Sequence, residues 1–138
     1  GRFQVLPGRP VTVLDVAHNP QAARVLADAL GTMSFHPRTL GVFGMLGDKD
    51  IEGVARALAS RIDDWYVAPL PGPRGATAEH LEGALLAAGV APDAIRRFPD
   101  VAHAFAAARE DAAETDRIAA FGSFLTVAAA LAAARDRR

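Results

Sequence analysis

Short apolar, β-branched runs alternate with apolar patterns of helical spacing along the whole chain, and this alternation constrains the fold most. Val11-Thr12-Val13-Leu14 reads as a buried strand. A polar break from Asp15 to Asn19 follows. Pro20 then stands where a first helical residue sits, with Asn19 as its cap. Ala22, Val25, Leu26, Ala29 and Leu30 give that helix one apolar face, and Gly31 ends it. The cycle repeats with a strand over Thr39–Phe43, a turn from Gly44 to Asp50, and a helix placing Ile51, Val54, Ala55, Leu58 and Ile62 on one side. Next come a strand over Trp65–Ala68, a Pro- and Gly-rich loop from Pro69 to Gly75, and a helix capped by Thr77 that carries Leu81, Leu85 and Leu86. A strand over Ile95–Phe98, a helix from about Val101, a strand over Arg117–Phe121 and a helix opened by Gly122-Ser123 complete the series.

Ahead of these, Arg2–Leu6 and the first strand flank the turn Pro7-Gly8-Arg9-Pro10, which predicts a β-hairpin. The expected class is α/β: a Rossmann-like, mainly parallel sheet of about six strands, opened by an antiparallel β-hairpin, with helices on both faces. A chain of 138 residues makes one domain with a substantial core. A net charge of −1 gives no broad attraction to nucleic acid or anionic lipid, so any anion site is local. The absence of cysteine excludes disulfides, thiolate catalysis and cysteine zinc sites, and fits a cytoplasmic protein. No apolar run is long enough to span a membrane and no signal peptide is present. The chain starts at Gly1 without an initiator Met and reads as a segment of something longer.

Ligands of open α/β sheets bind beyond the carboxyl ends of the strands. Four loops leave in that direction: Asp15–Asn19, Gly44–Asp50, Pro69–Gly75 and Gly122–Ser123. They carry Asp15, His18, Lys49 and Ser123 to one rim. If Gly8-Arg9 is a two-residue turn, Phe3 faces Leu14 and Arg2 faces Asp15. That pair is either a cross-strand ion pair or a nucleotide contact, the residues alone favouring the former. His18 beside a helix N-terminus can donate a hydrogen bond or exchange a proton, or simply occupy a loop. Asp50 and Ser123 both suit ordinary N-caps, while Lys49 can meet a carboxylate or phosphate. Asp48 and Asp50 lack a third ligand nearby, so no metal site is assigned. His36, His80 and His103 read as surface or packing residues. There is no G-x-S-x-G elbow, no G-x-G-x-x-G fingerprint and no Walker A loop.

Gly1-Arg2-Phe3-Gln4, Asp15-Val16-Ala17-His18-Asn19-Pro20, Gly44-Met45-Leu46-Gly47-Asp48-Lys49-Asp50 and Gly122-Ser123-Phe124 occur in the order seen in dihydrofolate/folylpolyglutamate synthases of the Mur ligase family. The stretch from Asp63-Asp64-Trp65-Tyr66 through Gly72-Pro73-Arg74-Gly75-Ala76-Thr77-Ala78-Glu79 resembles the proteobacterial bifunctional branch. The resemblance covers nearly the whole chain and implies the smaller C-terminal domain of an ATP-dependent ligase. That ligase joins L-glutamate to dihydropteroate and to folates through an acyl phosphate. It further implies a missing N-terminal domain with a P-loop and Mg²⁺ ligands, a monomer, and an isolated fragment without activity. By resemblance, Arg2 and Asp15 contact the nucleotide, and His18 and Ser123 lie near the incoming glutamate. His18 is the expected catalytic residue; Lys49 is a further glutamate candidate. The family usually has a histidine or another polar or aromatic residue where Leu125 stands. Two other readings share parts of the pattern: a peptidoglycan Mur ligase domain, and a non-catalytic nucleotide- or anion-binding module.

Overall fold

The structure is a computed structural model that describes residues 3–136. Six strands form one sheet in the order β1-β2-β6-β3-β4-β5. They are β1 (Gln4–Leu6), β2 (Val11–Asp15), β3 (Thr39–Phe43), β4 (Asp64–Val67), β5 (Ile95–Arg97) and β6 (Arg117–Phe121). β1 pairs antiparallel with β2, and every other pairing is parallel. The helices are α1 (Pro20–Thr32), α2 (Ile51–Leu58), α3 (Ala78–Ala87), α4 (Val101–Asp111) and α5 (Phe124–Arg135). The expected α/β class, its six strands and its opening hairpin are all observed.

Strand alternation divides the core in two. Val13, Phe43, Trp65, Val67 and Phe121 point to one face, where α1, α2 and α3 cover them. Leu14, Val42, Tyr66, Ile118 and Ala120 point to the other, beneath α4 and α5. Phe43, Trp65 and Phe121 pack as an aromatic cluster on the first face, with ring centroids 5.2–5.8 Å apart. The Ala-rich sequence of α4 and α5 lets both helices lie close to the second face. Ala104, Ala108 and Ala130 pack there beside the larger Val101 and Phe105.

The hairpin register differs from expectation. Leu14 is opposed by Gln4, not Phe3, and the last pair is Leu6 with Thr12. Pro7 and Pro10 lack the N–H donors a tight ladder needs, and Gly8 has φ +151°, so the loop is longer than two residues. A one-residue shift exchanges the faces of a strand, so the predicted Arg2–Asp15 pairing no longer follows. Arg2 itself lies outside the described residues.

The buried stripe of α1 is also rotated, to Ala23, Leu26, Ala27 and Leu30, leaving Val25 64% exposed. Small Ala23 and Ala27 allow close packing, which outweighs burial of the larger valine. Leu86 is 43% exposed because Leu81 and Leu85 already fill the contact of the short α3. Helix α1 continues through Gly31 to Thr32. Gly31 is accommodated within it because the Arg61 guanidinium occupies the space a Cβ would take. Ile62 is buried as expected, although α2 ends at Leu58 and Ile62 belongs to the turn into β4. None of the described helices is long and apolar enough to cross a membrane.

Candidate functional site

The carboxyl ends of β2, β6 and β3 lie side by side and feed three loops, each of which opens a helix. Asn19 caps α1 by accepting from the Ala22 amide at 2.8 Å. Asp50 caps α2 through the Gly53 amide at 2.9 Å, and Ser123 caps α5 through the Leu125 amide at 2.9 Å. Three positive helix ends therefore face one rim, a field that favours anions. The starts of α1 and α2 touch: a Cβ on Gly53 would stand 2.6 Å from Pro20 Cγ. Glycine at that position lets the His18 loop and the Lys49 loop come together.

The loops are locked by backbone contacts. The Gly122 amide donates to the Val16 carbonyl at 2.8 Å. Gly122 has φ +118°, and a Cβ there would collide with the Gly44 carbonyl oxygen. Thr126 is fully buried and donates its hydroxyl to that same oxygen at 2.8 Å. On the far side, Gly47 donates to the Arg74 carbonyl at 2.8 Å and Ala76 donates to that of Met45 at 2.9 Å. The Pro69–Gly75 loop thus braces the Gly44–Asp50 loop from outside.

Between these loops opens a cleft of about 210 Å³. His18, Lys49 and Ser123 line it together with Val16, Leu46 and Leu125. Three of the residues expected at the rim therefore converge. His18 and Lys49 are half-buried, and Ser123 is buried with its hydroxyl oxygen accepting from the Leu125 amide. Phe124 is 65% exposed at the mouth, so the cleft has an apolar lip.

Asp15 sits at the root of the His18 loop and is only 5% exposed. Its Oδ1 accepts from the Ala17 amide at 2.9 Å. Burial pushes its carboxyl above the usual carboxylate value, and the Ala17 hydrogen bond opposes that rise. Ala17 has φ +34°, a left-handed conformation that costs an alanine energy. The Asp15–Ala17 bond and the Gly122–Val16 bond hold this strained turn, which aims His18 at the cleft.

The remaining histidines lie elsewhere. His36 Nδ1 is 3.0 Å from the Thr115 carbonyl, and His103 packs on its own cap, Asp100, at 2.7 Å. His80 is exposed in the first turn of α3, its amide capped by Thr77. Among the described residues no three His, Asp or Glu side chains converge on a point that suits a metal ion. Sequence reasoning overlooked Thr126 and the strained Ala17. The signal for the first was a threonine three residues after the Ser123 cap, facing inward on α5. Nothing local marked the second.

The family described as Mur ligase, glutamate ligase domain, matches residues 1–124. Dihydrofolate synthase/folylpolyglutamate synthase of Escherichia coli is 46% identical over 128 residues, covering 93% of this chain and 29% of that protein. The structure of E. coli FolC in complex with ADP superposes with a TM-score of 0.89 at 44% identity, over 100% of this chain and 32% of that one. A bifunctional folylpolyglutamate synthase/dihydrofolate synthase with Mn, AMPPNP and L-glutamate bound gives 0.87 at 44% identity, covering 98% and 31%. This chain thus spans about a third of the length of the relatives it matches. By sequence and by fold, the chain belongs to the Mur ligase glutamate ligase domain family.

Proposed function

We propose that this chain is the C-terminal, glutamate-side domain of an ATP-dependent amide ligase that adds L-glutamate to dihydropteroate and to folates. The observation that carries the reading is the convergence of His18, Lys49 and Ser123 on one cleft beneath three helix N-termini. L-Glutamate brings two carboxylates and an amine. The helix ends, the Lys49 ammonium and the Ser123 hydroxyl suit the carboxylates. His18, on its rigid turn, suits contact with the amine and receipt of a proton as that amine attacks. Family membership and the ligands named for the related structures support the same assignment.

ATP with a divalent cation supplies one chemical feature, a phosphoryl group that activates the acceptor carboxylate as an acyl phosphate. Asp15, at the end of β2, is placed to accept from a nucleotide hydroxyl as the two domains close, with Arg2 as its partner in that task. The P-loop and the metal ligands belong to an N-terminal domain outside this chain. The 1–138 segment closes over it, excludes water from the acyl phosphate and positions the amine. The whole enzyme is a cytoplasmic monomer on this reading, and the isolated domain is inactive.

The test joins this chain to its upstream coding region and measures ADP release with Mg²⁺, dihydropteroate and glutamate. Release that requires both substrates and falls at least about a hundredfold in Asp15→Ala and His18→Ala supports the assignment. An intact protein with no glutamate-dependent release sinks it.

A further inference from the structure

The opposite end of the sheet holds a second cleft that the proposed ligase chemistry does not use. It has a volume of about 250 Å³ and lies between the hairpin loop and the C-terminal halves of α4 and α5. Three guanidinium groups line it, Arg9 from the loop, Arg109 from α4 and Arg135 from α5, and no carboxylate is among its lining residues. Three like charges around one cleft are unusual in a chain whose net charge is −1.

The local partners leave this charge available. Arg9 reaches Glu114 at 3.5 Å with both side chains about three-quarters exposed, a contact of little energetic weight. Arg109 donates one N–H to the Ala133 carbonyl at 3.1 Å and lies 5.7 Å from the centre of the Phe105 ring. Those two contacts hold its guanidinium in place and leave its other donors free for a ligand. Arg135 has no hydrogen-bond or ion-pair partner among the described residues.

Thr12 adds an independent observation. It is only 8% exposed and lines the cleft, and its hydroxyl has no protein hydrogen-bond partner among the described residues yet keeps access to solvent, so it is available to a ligand. Thr12 shares the face of β2 with Leu14, which packs beneath α4 and α5, so its side chain lies on the face that carries the cleft. The floor beside it is apolar, formed by Leu6, Phe105 and Leu131.

We propose that this cleft binds a small organic oxyanion, a phosphate ester or carboxylate carried on an apolar body. The arginines take the anionic oxygens, Thr12 donates a further hydrogen bond, and the apolar floor receives the body. The site is separate from the His18 cleft, because β2 enters at one end and Asp15 leaves at the other.

Phenyl phosphate, inorganic phosphate and benzoate are titrated into the chain by calorimetry, with amide chemical shifts recorded in parallel. The expected result is saturable binding of phenyl phosphate, tighter than of inorganic phosphate, with shifts concentrated at Leu6–Thr12 and near Arg135. Binding tighter for phenyl phosphate than for benzoate assigns a phosphate ester, and the reverse order assigns a carboxylate. The exposed double variant Arg9→Ala/Arg135→Ala weakens binding by about tenfold or more, and Thr12→Val by a few-fold, as loss of charge-assisted and neutral hydrogen bonds requires. Unchanged melting temperatures show that both variants fold. No saturable binding by any probe, binding unaffected by the double variant, or shifts centred on Val16–Asn19 and Ser123 overturns the proposal.

Discussion

Gly122→Ala tests how the site is assembled, because one atom is added where three loops meet. Gly122 has φ +118°, which only glycine adopts cheaply, so strain alone costs about 1–3 kcal/mol. The new Cβ also meets the Gly44 carbonyl oxygen and stands 2.9 Å from Met45 Cγ. Gly44 has little room to retreat. Its oxygen accepts from Thr126 at 2.8 Å, and Leu70 and Thr126 already crowd it at 3.0 Å from where its own Cβ would stand. Moving that carbonyl sacrifices a buried hydrogen bond worth about 1–3 kcal/mol. The sum is about 2–6 kcal/mol, which for a domain of this size lowers the melting temperature on the order of 10 °C. Gly72→Ala is the control: its φ is +92°, but nothing lies within 4 Å of an added Cβ. It carries the conformational cost alone, the same about 1–3 kcal/mol, without the collision or the lost hydrogen bond. Urea denaturation of both variants decides the matter. If Gly122→Ala costs no more than Gly72→Ala, the close approach of the β6 and β3 loops is not what holds the rim together.

Other perturbations separate the remaining contributions. Thr126→Val removes the hydroxyl that meets Gly44 while keeping the shape, and is expected to cost about 1–3 kcal/mol by denaturant titration, with Thr126→Ser recovering much of it. Asn19→Ala removes the α1 cap and is expected to cost about 1 kcal/mol in the same assay. Asp15→Asn probes burial of charge. The Asp15 carboxyl is raised above 3.8 in the folded protein, so its ionisation works against folding as pH rises through that raised value. The asparagine variant is expected to melt at or above the wild type at neutral pH, with the gap closing as pH falls towards the ordinary carboxylate range. A gap that widens on acidification would contradict the direction of the shift. If the proposed function holds, the same variant joined to its upstream region is expected to lose glutamate-dependent ADP release, so stability and activity move in opposite directions.

The order of strands and helices, the N-caps at Asn19, Asp50, Thr77 and Ser123, and the rim that gathers His18, Lys49 and Ser123 were all legible in the sequence. Each rests on local chemistry: β-branched runs, capping side chains, and the rule that parallel strands deliver their following loops to one edge. Tertiary structure decided what local chemistry leaves open. The hairpin register followed from the geometry of the Pro7–Pro10 loop and moved the expected partner of Leu14 by one residue. The stripe on α1 was chosen by how closely Ala23 and Ala27 admit neighbouring elements, not by where the larger Val25 lay. The left-handed turn at Ala17 exists because Asp15 and Gly122 hold it, one from the end of β2 and one from the loop after β6, over a hundred residues away in the chain. Steric fit and hydrogen-bond closure between distant segments are properties of the packed chain, so the architecture was written in local patterns while the aim of His18 was set only when β2, β6 and β3 came together.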